Sequence, residues 1–135
     1  MPLSSILPKF LRGIRLPNGD GLDDLTSEMW STETGITAAA GGTQAAARKL
    51  TEANNVVGTV ASAADSVRLP PAQVGRRVLV RNSGANSMQV FGDGSDTINA
   101  AATATGVAQA ASTSALYWCA SVTGGVGAWF RILSA

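Results

Sequence analysis

The residue types that could do chemistry here are few. The chain has no His and a single Cys, Cys119. Catalytic triads built on His, imidazole acid–base chemistry and His-ligated metals are therefore excluded. An intrachain disulfide and a zinc knuckle are excluded as well. Cys119 stands next to Trp118 with no Lys nearby. Nothing adjacent activates it as a nucleophile, so it reads as a small buried hydrophobe. Asp93-Gly94-Ser95-Asp96 puts two carboxylates in a glycine turn. A calcium loop needs more oxygen ligands, usually with a bidentate Glu, and none follows; the segment reads as an Asx-type turn. Arg76, Arg77 and Arg81 form the basic cluster of the later chain. A solvated strand face or a contact between subunits explains them better than phosphate binding does. Gly124-Gly125-Val126-Gly127 looks like part of a phosphate loop, but it opens no helix and lacks the Lys-Ser/Thr pair, so it reads as a hairpin turn. Trp118 and Trp129 could line a sugar site, although core or interface packing is the commoner use of such residues. No catalytic residue, metal ligand or cofactor is assigned, and an enzyme is not expected.

The elements that must hold these residues are β-strands. Val56 to Val60 is a β-branched run, and Val67 to Leu69 ends at the Pro70-Pro71 corner. Val78, Val80 and Asn82 alternate with Arg77, Leu79 and Arg81, which predicts one apolar and one largely basic face. The turn at Asn82 to Asn86 predicts a hairpin with the strand through Met88, Val90 and Phe91. Leu116 to Ala120 and Ala128 to Leu133 are the last two strands, joined at the Gly124 to Gly127 turn. Short strands separated by glycine-rich turns indicate an all-β fold: an antiparallel β-sandwich or jelly roll over residues 35–135. The Ala-rich stretch from Ile36 to Ala53 fits either a helical turn or a small-residue strand.

Residues 1–34 differ from the rest. Leu3, Ile6, Leu7, Phe10, Leu11, Ile14 and Leu16 crowd into the first 16 positions at helical spacing, with Lys9, Arg12 and Arg15 among them. Pro8 argues against a long helix there. Pro17-Asn18-Gly19-Asp20-Gly21 is a loop signal, and Asp20, Asp23, Asp24, Glu28 and Glu33 follow without a basic residue. Two readings stand side by side. The segment packs on its own domain, or it is an arm that buries its apolar residues on another chain. Seven large apolar side chains, each worth about 1.5–3 kcal/mol when buried, are too many for a free tail.

Composition points the same way. Leu, Ile, Val and Phe total 30 of 135 residues, against 23 Ala and 15 Gly. A core this thin suggests stability gained from self-association or a partner. Formal charge is +1, which removes the main electrostatic reason to expect nucleic acid. No run of 18 apolar residues exists to span a membrane, and Pro8, Lys9 and Arg12 interrupt any secretory signal.

One resemblance emerges from the order of short segments. Gly35-Ile36-Thr37-Ala38, Gln44 to Ala47 and Asn55-Val56-Val57 open it. Asp65 to Pro70, Val74-Gly75, Val80 to Ala85 and Gln89-Val90-Phe91 follow, then Asp96 to Asn99 and Ala128-Trp129-Phe130. That order resembles a small β domain of structural proteins in tailed-bacteriophage virions, namely capsid cement or decoration proteins and head-fibre-like proteins. It implies a non-enzymatic virion protein, made in the bacterial cytoplasm and carried on the capsid surface. Its partner would be the major capsid protein, with the arm bridging capsid subunits. It also implies a homo-oligomer, with a trimer favoured. A tail-fibre adaptor or receptor-recognising module is the alternative. In a strand pair, Trp118 and Cys119 face opposite ways, as do Trp129 and Phe130. The outward aromatics among Trp118, Trp129 and Phe130 are thus the expected oligomer interface.

Overall fold

The computed structural model describes residues 31–134. The expected arm residues Leu3, Ile6, Leu7, Phe10, Leu11, Ile14 and Leu16 lie outside them. Ten strands and no helix make up the described residues: β1 (Thr32–Thr37), β2 (Arg48–Lys49), β3 (Asn54–Thr59), β4 (Ser66–Arg68), β5 (Arg77–Asn82), β6 (Met88–Phe91), β7 (Thr97–Ile98), β8 (Val107–Gln109), β9 (Ser114–Thr123) and β10 (Val126–Leu133). The 34/35 boundary expected between arm and domain falls inside β1, whose Thr32 and Glu33 pair with Asn54 and Asn55 of β3.

The strands form two sheets, one ordered β1-β3-β5-β9-β10-β7 and the other β2-β4-β6-β8. Both are mixed, which corrects the expectation of an antiparallel fold. β1, β3 and β5 run parallel, as do β2, β4 and β6, and β7 is parallel to β10. Antiparallel pairing is confined to β5–β9, β9–β10 and β6–β8. The cause is the path of the chain. From β1 to β8, successive strands go to alternate sheets. β3 and β5, and likewise β4 and β6, return to their sheets in the original direction after such an excursion, whereas β8 returns reversed. Parallel neighbours need a long crossover, and here a strand of the other sheet supplies it where a helix often does. For the same reason β5 and β6 are not a hairpin. The turn after Asn82 carries the chain from one sheet to the other.

The Ala-rich stretch resolves into an isolated turn, with Ala47 N–H donating to Thr43 O at 3.0 Å, and then the two-residue strand β2. The β9–β10 hairpin forms as expected. Gly124 and Gly125 take φ values of +58° and +80°, as a two-residue type I′ turn requires.

Residues of both sheets meet in one core, including Ile36, Val57, Val78, Val80, Tyr117 and Trp129 from the first and Val67, Met88 and Val90 from the second. A polar network crosses it. Buried Gln109 of β8 donates from Nε2 to Val80 O at 2.9 Å and accepts from the Tyr117 hydroxyl at 3.0 Å. Buried Asn82 donates to Gln109 O at 3.0 Å and Asn86 O at 2.9 Å, and its Oδ1 accepts from Gly84 N–H. These bonds pin the corner where the chain changes sheets, since each broken one would leave a buried polar group unpaired.

Candidate interaction face

The residues singled out for chemistry are held in structural roles. Asp96 is buried, and its carboxylate accepts three hydrogen bonds. These come from Gly127 N–H at 2.7 Å, Ala72 N–H at 3.2 Å and the Trp129 indole N–H at 3.3 Å. A Cβ at Gly127 would lie 2.1 Å from the Ala72 methyl and 2.8 Å from Asp96 Oδ1, so only glycine allows this approach. Asp93 pairs with Arg68 at 3.3 Å. The cleft beside them, lined by Pro71, Asp93, Ser95, Asp96 and Val122, has a volume of ≈ 200 Å³. Among the described residues there is no group of three or more His, Cys, Asp or Glu placed to hold a metal ion.

Cys119 is fully buried, and burial pushes its thiol pKa up with Asp96 adding to the rise. Its Sγ lies 3.5 Å from Ser121 O. It behaves as the small hydrophobe expected from the sequence. Arg76 donates to Pro71 O, and Arg81 donates to Ser112 O at 2.8 Å and Ser114 Oγ at 3.4 Å.

Among the described residues, the outer face of the first sheet gathers several of the exposed large apolar side chains. Its geometry follows from the two-residue period of strands. Along β9, Tyr117 and Cys119 point into the core, and Leu116 and Trp118 point out. Along β10, Trp129 points in, and Phe130 is exposed. A bulge between Ala128 and Trp129 sets Trp129 opposite Cys119 and Phe130 opposite Trp118. The next outward pair is Ile132 with Leu116, and β5 places Leu79 beside Leu116 and Arg77 beside Trp118. The result is two level rows: Arg77, Trp118, Phe130, and then Leu79, Leu116, Ile132.

Of the three expected interface residues, Trp118 (44% exposed) and Phe130 (49% exposed) lie on this face, their ring centroids 6.3 Å apart and tilted by 41°. Trp129 does not. It is 1% exposed, so its place among the interface residues is corrected to the core. The reason is the bulge together with the Asp96 carboxylate, which captures the indole N–H from within. Three contributors to the face escaped the sequence reading. Ile132 is 66% exposed, and Leu79 and Leu116 are half-buried. The outward parity of Leu79 was visible between Arg77 and Arg81. Its union with Leu116 and Ile132 depends on strand register, which no local pattern carries.

Apart from Arg77 the two rows carry only apolar side chains. A sugar site pairs aromatic rings with groups that bond hydroxyls, and these rows hold no such array. Apolar contact is what these six positions chiefly offer, with Asn54 of β3 next to Leu79. No protein-family model, no curated protein and no solved structure matches this chain.

Proposed function

We propose that this chain is a structural, non-enzymatic protein of a tailed-bacteriophage virion that decorates and cements the capsid. In this reading the two sheets pack face to face as a sandwich that self-associates, with a trimer favoured. The part of residues 1–34 that precedes β1 is the arm that lies on the major capsid protein and bridges its subunits. Several arms on one oligomer raise the effective concentration of each, so modest single contacts add up to firm attachment. The observation that carries the reading is the allocation of side chains: Asp96, Gln109, Asn82 and Cys119 are consumed by the fold, and half-exposed aromatics face outward. A chain built this way offers surfaces and not reactive groups.

Counting copies in purified virions tests it. A cement protein is expected at hundreds per particle. A few copies per particle would instead favour the tail-fibre adaptor, and absence from the particle would overturn both. A chain starting at Ser31, which keeps all of β1, should fold and yet fail to bind capsids stripped of the protein. Binding as tight as that of the full chain would remove the arm from the proposal.

A further inference from the structure

We infer that the outward rows of Leu79, Leu116, Trp118, Phe130 and Ile132 are the contact through which copies of this chain meet. This rests on the oligomeric half of the proposed function and gives it an address. The occupant is a second copy, for three reasons.

The first is area. Trp118, Phe130 and Ile132 are 44%, 49% and 66% exposed. With the half-buried Leu79 and Leu116 and the stem of Arg77 they present on the order of 500 Å², close to the ~600 Å² per partner of the smallest specific interfaces. Left uncovered, that surface is an aggregation liability.

The second is self-complementarity. A symmetry axis parallel to the strands, in front of β9 and β10, keeps every residue at its own height. The aromatic row then meets the aromatic row, and the aliphatic row meets the aliphatic row, around a two-fold or a three-fold axis alike. These rows contain no carboxylate, and their one charged residue is Arg77. Arg77 sits at the β5 end of its row, where it can stay wet at the rim.

The third is the open side of the sheet. Among the described residues β7 pairs with Ala128 and Trp129 alone and Asn99 Oδ1 accepts from Arg131 N–H, so past Arg131 no further described strand flanks the β10 side of the rows. Aromatic anchors are the composition of an interface centre.

Sedimentation velocity of the full chain across a dilution series tests the inference, comparing wild type with Phe130→Arg and Ile132→Lys. Wild type should self-associate. Each variant should raise the dissociation constant about 30-fold or more. Both residues are about half exposed or more, so melting temperature measured at dilutions where wild type is monomeric should match wild type, and loss of association then reports the contact and not the fold. Iodide quenching should reach Trp118 more readily in the variants than in wild type. A wild type that stays monomeric, or variants that associate as tightly as wild type, would overturn the inference. The virion reading fails separately. A monomeric wild type found at high copy in virions overturns the contact alone. An oligomer broken by Phe130→Arg but absent from virions supports the contact and overturns the virion role.

Discussion

The inner and outer faces of the β9–β10 hairpin are built from similar residues with opposite fates. On the inner face Trp129 and Tyr117 are buried, and each polar atom they carry has a partner: Asp96 for the indole and Gln109 for the phenol. On the outer face Trp118 and Phe130 have chiefly each other. A residue's type therefore does not decide its role in this hairpin. Strand parity decides which way it points, and a waiting acceptor decides whether an aromatic with an N–H or O–H can stay inside. Mutation should separate the faces cleanly: inner changes should cost stability, and outer changes should cost association.

The largest expected effect is at Trp129. Trp129→Ala should destabilise the chain by about 3–5 kcal/mol in urea unfolding, because it opens a cavity at the centre of the core. Phe130→Ala, one residue along, should cost less than about 1 kcal/mol under monomeric conditions. Equal losses would erase the distinction between the faces.

Asp96→Asn comes next. The amide keeps one acceptor oxygen and turns an NH2 group toward donors, so at least one of Gly127 N–H, Ala72 N–H and the Trp129 indole loses its bond. A loss of about 2 kcal/mol is expected, again by urea unfolding. A neutral result would show that the carboxylate is not what holds the inner face together.

These two sites also show how far the sequence could be read. Alternation in Arg77 to Asn82 and the Gly124-Gly125 turn foretold β5 and the final hairpin, because both signals are local. The outward direction of Trp118 was not settled by its own strand. Parity splits Trp118 from Cys119 and leaves open which of them points in. Asp96 looked like an ordinary turn residue, since its donors come from Ala72, Gly127 and Trp129. The parallel pairing was hidden for a related reason. Strands at short intervals look alike whether the chain folds back within one sheet or crosses to another, and only long-range register tells them apart. The polar signal for a crossing was present at Asn82 and Gln109, although their shared network is visible only when β5 and β8 are brought together.

Tyr117 offers a smaller test that depends on pH. Burial raises its phenol pKa well above the ordinary value of 10.0, with Arg131 opposing the rise. A phenol whose pKa is higher folded than unfolded stabilises the fold fully below the unfolded value. That contribution is lost as pH climbs from about 10 toward the folded value. Tyr117→Phe should cost about 1–2 kcal/mol at neutral pH, because Gln109 Oε1 loses its donor. It should also flatten the decline in melting temperature above about pH 10. An unchanged alkaline decline would place its origin elsewhere.

The smallest expected effect lies on the outer face, and it sharpens the comparison most. Trp118 and Phe130 are directly cross-strand, with a centroid distance within the favoured range for aromatic pairs and a tilt between the stacked and edge-to-face arrangements. Such a pair is worth about 0.5–1.5 kcal/mol beyond its area burial, and half exposure puts this one at the low end. A double-mutant cycle over Trp118→Ala and Phe130→Ala isolates that coupling, provided stability is measured dilute enough for the chain to be monomeric. A coupling near 0.5 kcal/mol is expected there. Repeated at concentrations where wild type self-associates, the cycle should return a larger value, because each ring would then also touch rings of other copies. If the coupling is the same at both concentrations, the pair serves only its own hairpin, and the outer face differs from the inner one in exposure but not in purpose.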